Sequence, residues 1–193
     1  MRDRKKILSA VWAVVLIGIS VLTVIPLLKL GIYDHPSADD FNYSIQTYRV
    51  WQETHSLGKV IGAAWSTSIR FWHTWQGLYA SAFVLALQPA IFGETYYALT
   101  VWLTVGTIYV SNLIFAEYVL HHKLRVSALS AMALAFAMSM VMVQWLPSAV
   151  QGLYWYNGAM NYTFFYGVLL LLIVGQIIFY TPRKWWQYAL KVL

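Results

Sequence analysis

Two adjacent carboxylates, Asp39 and Asp40, stand a short way beyond the first long apolar run of this 193-residue chain. One such acid can take a proton from an acceptor hydroxyl, or hold a divalent cation, while the like charge beside it raises its pKa. The same residues can instead cap a helix, since Ser37 and Asp40 have the spacing of a capping box. Either acid would cost about 2.5 to 3.5 kcal/mol at a bilayer centre, so both are expected at an interface.

A second constellation is Trp155-Tyr156-Asn157-Gly158-Ala159-Met160-Asn161-Tyr162, where amides and rings crowd together. Aromatic residues form belts at membrane interfaces, and Asn with Gly makes turns. Rings beside amide donors and acceptors are also what sugar rings stack on and hydrogen-bond to, which singles out Trp155, Asn157, Asn161 and Tyr162. Trp75 and other aromatic residues between 33 and 75 could extend that surface. Arg49, Lys59 and Arg70 share the acid-bearing stretch. They either snorkel at a membrane surface or neutralise a phosphate there. His35, His55, His73 and the pair His121-His122 have no recognised ligand spacing, so no metal site is expected from them. No phosphate-binding glycine loop, serine-hydrolase elbow or nucleic-acid motif is present, and with no cysteine there is no thiolate chemistry or disulfide.

The elements that must position these residues follow from composition. Hydrophobic residues make up 60% of the chain and charged residues 10%, against about 25% charged in a soluble domain. The apolar residues collect into runs of about 20, the length that crosses hydrocarbon. An all-α integral membrane fold is expected, with spans over about 7–30, 96–119, 126–146 and 162–180. The first run is too long for a signal peptide's apolar region and lacks its small-residue end. Residues 31–95 form a long outer loop whose first part, 31 to about 71, holds four of the seven acids, with helices over about 38–54, 57–71 and 74–92. Phe41, Ile45 and Tyr48 share a face of the first. In the second, Leu57, Val60, Ile61, Ala64, Trp65, Ile69 and Trp72 recur at spacings of three and four, as in helices that lie on a membrane or against a bundle.

Whether the segment over 72–92 crosses is settled by charge. If it does not, Arg2, Arg4, Lys5, Lys6, Lys123, Arg125, Arg183, Lys184 and Lys191 all fall inside, nine of the 13 basic residues. If it does, the count inverts. Four spans with a cytoplasmic N-terminus is therefore the predicted topology, the acids and Trp155–Tyr162 sharing the outer face. The net charge of +6 then answers anionic headgroups rather than nucleic acid.

Taken with the first span, Ser37-Ala38-Asp39-Asp40-Phe41-Asn42-Tyr43, Trp72-His73-Thr74-Trp75-Gln76-Gly77 and the Trp155–Tyr162 stretch resemble the start of a bacterial multi-pass family similar to the GT-C glycosyltransferases. Over roughly residues 1–180, the resemblance implies transfer of a sugar from a polyprenyl-phosphate donor to a cell-envelope acceptor at the outer face of the plasma membrane. It also implies a catalytic acid in the first outer loop and juxtamembrane helices around the active-site cavity. Asp39 is then the expected base or metal carboxylate, with Asp40 second. Trp155, Asn157, Asn161, Tyr162 and Trp75 are expected at the sugar, and Arg70 or Lys59 at the donor phosphate. The residues name no cofactor, and the chemistry leaves room for a divalent cation. The family tends to carry Arg after its Trp-x-Gly triplet, where this chain has Leu78, so no phosphate contact is expected there.

Two rivals are a transporter or flippase for a lipid-linked saccharide and a non-catalytic assembly subunit. Ion-coupled transport usually leaves ionisable residues within spans. Here Glu117 alone lies near one, close to its cytoplasmic end. Since four spans make one wall of a cavity and Arg183-Lys184-Trp185-Trp186 reads as an interfacial turn, the chain is expected to be the N-terminal part of a longer protein, or a shortened relative.

Overall fold

The computed structural model describes residues 2–180. These are helical, with no strand among the described residues: α1 (Arg2–Leu30), α2 (Asp39–Thr54), α3 (Leu57–Thr74), α4 (Ala80–Leu85), α5 (Leu99–Phe115), α6 (Ala128–Gln144), α7 (Tyr156–Gly158) and α8 (Phe165–Tyr180), joined in places by 3₁₀ or π turns. Three continuous helical stretches are long and apolar enough to cross a membrane, Lys6–Tyr33, Glu94–Lys123 and Tyr156–Phe179. The segment predicted as a further span over 126–146 is α6, whose 17 residues rise about 26 Å against a hydrocarbon core of about 30 Å. The basic turn at Arg183-Lys184 lies outside the described residues.

The chain divides into two compact units. One comprises Val24–Gly106 with Gln144–Phe165, and the other is the described part of Met1–Thr23, Thr107–Val143 and Tyr166–Leu193. The first unit holds every candidate site residue named above, while Glu117 and the His121-His122 pair fall in the second. Its core is Tyr43, Phe71, Ala82, Leu85, Tyr97, Tyr156, Ala159 and Met160. α2 ends where His55 turns left-handed, its N–H donating to the Trp51 carbonyl, and α3 starts two residues later. α2 buries Asp40, Tyr43, Ser44 and Thr47, spaced as one helical face. The Tyr43 ring stacks on Phe71 of α3 with centroids 4.3 Å apart.

α3 departs from the face its sequence suggests. Its covered side is Val60, Ala63, Ala64, Thr67, Ser68 and Phe71, while Leu57, Ile61, Trp65, Ile69 and Trp72 are exposed. Small residues let helices approach closely, so the Ala–Thr–Ser stripe packs and the bulky stripe is left outward.

The helix predicted over 74–92 is also different. α3 runs on to Thr74, and only Ala80–Leu85 is helical before a 3₁₀ turn at Pro89–Phe92. Gly77, with φ of +67°, supplies a conformation that an L side chain resists, and Pro89 cannot continue a helix. Conversely, Trp155–Tyr162 is not a turn. Asn157 and Gly158 lie in α7, flanked by π-helical turns over Val150–Tyr154 and Ala159–Phe164.

The second unit is held by small residues and buried hydroxyls. Ala116, Ala131 and Ala135 form an apolar cluster. Ser20 donates to the Phe136 carbonyl at 2.9 Å and bonds the Tyr109 hydroxyl at 2.7 Å. Asn112 of α5 donates to Ser139 of α6 at 3.1 Å.

Close approach in the first unit is most demanding at Gly158, where an added Cβ would collide with the Gln151 carbonyl oxygen and stand 3.0 Å from the Trp155 ring. Because the obstacle is backbone, Gly158→Ala is expected to cost about 1–3 kcal/mol and to lower the melting temperature in detergent. Gly175→Ala, whose Cβ would meet nothing within 4 Å, is the matched control and should not lower it.

Candidate functional site

The two adjacent acids are separated by their surroundings. Asp40 is buried, with 1% of its surface exposed. Its Oδ1 accepts the Asn157 N–H at 3.0 Å, and its Oδ2 accepts the Ser37 N–H at 3.2 Å and the Tyr97 hydroxyl at 2.5 Å. The Tyr97 oxygen in turn accepts the Tyr156 N–H at 2.8 Å. The Asp40 carbonyl accepts the Ser44 hydroxyl and the Gln88 amide. Only half of the expected capping box forms: the Asp40 carboxylate reaches back to the Ser37 N–H, while the Asp40 N–H donates to the Ser37 carbonyl at 3.1 Å. Burial raises the Asp40 pKa, against the lowering effect of the Tyr97, Ser37 and Asn157 donors, and the charge on Asp39 adds to the rise.

Asp39, one residue earlier, points the other way. It is exposed and lines a polar pocket of about 380 Å³ with Asn42, Tyr43, Arg70, Phe71, Thr74 and Trp75. Its carboxylate accepts no hydrogen bond from the described residues, and Arg70 shares the pocket without reaching ion-pairing distance. Arg70 instead lies with its guanidinium carbon 5.0 Å from the Phe71 ring centroid. Burial, and secondarily the Asp39 charge, raise the Tyr43 pKa. Ala38, just before Asp39, has φ of +48°, a strained value for a residue with a Cβ.

Asp39, Arg70 and Trp75 thus come together in one pocket. Trp155, Asn157 and Asn161 belong to the Asp40 side: the Trp155 indole N–H donates to the Ser37 carbonyl at 3.2 Å, and Asn161 donates to the Asn157 side chain at 2.7 Å. Part of their hydrogen-bonding capacity is therefore spent within the fold. Tyr162 is 73% exposed and does not line that pocket. Lys59 lies eleven residues before Arg70 on α3, about 16 Å away along the axis, and is not part of the pocket.

On the other flank of α2, Phe41, Ile45 and Tyr48 line a larger groove of about 530 Å³ with His35, Ile91 and Gly93. One acid that sequence reasoning passed over stands close by. Asp34 accepts the His35 N–H through Oδ1 at 3.0 Å, while its Oδ2 is buried without a hydrogen-bond partner. Desolvation pushes its pKa from 3.8 up to about 6, partly offset by His35. Its place as the first acid after α1 was the available signal, but spacing does not report an orphaned oxygen. Among the described residues, Glu117, His121 and His122 bring ligand atoms within 4.8 Å of one another.

The Asp34 shift has a defined sign. A carboxyl whose folded pKa lies above its unfolded value favours folding while protonated, so its contribution is present below about pH 4 and lost as pH rises through about 6. Melting temperature followed between pH 4 and 7.5 should fall with rising pH in the native protein. The fall should be shallower in Asp34→Asn, and identical slopes would mean that Asp34 titrates normally.

No family profile, no curated protein and no solved structure matches the chain, so what it does is read from the placement of its own side chains.

Proposed function

We propose that the chain is part of a membrane glycosyltransferase that takes a sugar from a polyprenyl-phosphate donor, with Asp39 as the general base. The observation that carries this reading is the pocket in which an unpartnered carboxylate, a guanidinium, an amide and an indole converge. In that chemistry Asp39 accepts the proton of an acceptor hydroxyl as its oxygen attacks the anomeric carbon. The bond from that carbon to the phosphate oxygen breaks, and the polyprenyl phosphate leaves with the electron pair. Arg70 offsets the phosphate charge, Asn42 and Thr74 offer hydrogen bonds to sugar hydroxyls, and Trp75 offers a stacking face.

The groove on the opposite flank of α2 supports a lipid-linked substrate, because Phe41, Ile45, Tyr48 and Ile91 give an isoprenoid chain an apolar bed. In this reading Asp40 is a positioning residue that fixes the start of α2, and Asp39 is the catalytic one. The membrane is the solvent for α1, α5 and α8, and α6 completes a four-span bundle with the N-terminus and the His121–Arg125 turn in the cytoplasm. The exposed Leu57, Ile61, Trp65, Ile69 and Trp72 of α3 rest in the outer interface. Shared chemistry with a saccharide transporter is broken by Asp39: recognition would tolerate its amide, and proton abstraction would not.

Asp39→Asn should lower sugar transfer by the membrane-embedded protein about a hundred- to ten-thousand-fold and leave its melting temperature unchanged. Asp40→Asn presents an amide N–H to groups that are themselves donors, which should cost about 1–3 kcal/mol of stability. Full transfer by Asp39→Asn would overturn the catalytic assignment. The topology has its own test, with single cysteines introduced into a chain that has none. An impermeant thiol reagent applied from outside should label Asn42→Cys and spare Lys123→Cys, and labelling of the latter would invert the proposed orientation.

A further inference from the structure

We propose that Glu117, His121 and His122 form a binding site for one divalent transition-metal ion of the zinc type. The three residues lie on the π-helical turn Ala116–Lys123. In an α-helix, residues i and i+4 share a face, but i+5 points well away. The wider i→i+5 winding puts His121 on one side of Glu117 and His122 on the other. One ligand atom from each then falls within 4.8 Å of the other two. His122 Nε2 and Glu117 Oε1 are 3.3 Å apart, and two ligands of a tetrahedral zinc, each at about 2.05 Å, are separated by about 3.3 Å.

A surface ion pair between Glu117 and His122 would explain that one distance and is worth little. It leaves His121 unexplained. His121 Nδ1 lies 2.8 Å from the Val126 carbonyl oxygen, and because a carbonyl only accepts, Nδ1 carries a proton, which makes Nε2 the lone-pair nitrogen of the neutral ring. Such a bond is the usual support of a metal-binding imidazole, fixing both tautomer and ring orientation. The nearby cation is diverted as well, since the Lys123 ammonium lies 5.5 Å from the Tyr118 ring centroid. Two imidazoles and one carboxylate suit zinc, copper or nickel rather than magnesium or calcium. With both Glu117 and His122 more than half exposed, water can complete the coordination sphere.

Isothermal titration of the purified, untagged chain in detergent with Zn²⁺, with Co²⁺ absorption as a second readout, tests the site. One equivalent should bind, with visible d–d bands for Co²⁺, and His122→Ala and Glu117→Gln should each weaken binding by about ten-fold or more. Both side chains are exposed, so the metal-free melting temperatures should match the native protein. Zinc should raise the melting temperature of the native protein and not of the variants. Absence of stoichiometric binding, or the same affinity in His122→Ala, where His35, His55 and His73 remain, would overturn the proposal.

Discussion

The carboxylate of Asp40 is the fixed point of the unit that carries the candidate site. Three donors from distant parts of the sequence, the Ser37 N–H, the Tyr97 hydroxyl and the Asn157 N–H, converge on its two oxygens. A buried carboxylate is costly unless its lone pairs are met in this way. The requirement therefore runs outward: the start of α2, the first turns of the Glu94–Lys123 helix and the short α7 must all meet at one place. Tyr97 extends the arrangement by accepting from Tyr156 what it does not need for Asp40.

That convergence separates two neighbouring residues of the same type. Successive residues on a helix are turned by about 100°, so once Asp40 faces inward Asp39 must face elsewhere. It faces a pocket shared with Arg70 and Trp75. The structural role at the start of α2 thus falls to Asp40, and Asp39, the proposed base, is held on the same turn with its own oxygens free of hydrogen bonds from the described residues.

Much of this was legible in the chain. The boundary at Ser56 followed from the change in pattern, and helices expected over about 38–54 and 57–71 are found at Asp39–Thr54 and Leu57–Thr74. Three membrane-length helices follow from apolar length alone. What could not be read depends on neighbours. Apolar periodicity on α3 grouped Val60 and Ala64 with Leu57 and Trp65, and it took packing to show that the small residues turn inward. Asn157-Gly158 reads as a turn by local preference, but Gly158 is there because the Gln151 carbonyl lies against it. α-Helical spacing pairs Glu117 with His121 but leaves out His122, which the π-helical winding adds.

Ala38 carries a consequence for how rigid the site is. A residue with a Cβ at φ +48° holds a conformation that glycine would adopt without strain, at a cost of order 1–3 kcal/mol. Glycine would relax it, yet would also give the unfolded and locally opened chain more conformations to visit. With alanine, the segment entering α2 has few alternatives once Asp40 is bonded, and Asp39 inherits that narrowness. Local strain at Ala38 thus goes with low conformational entropy at the residue immediately before the exposed acid, which is ordered before anything binds beside it.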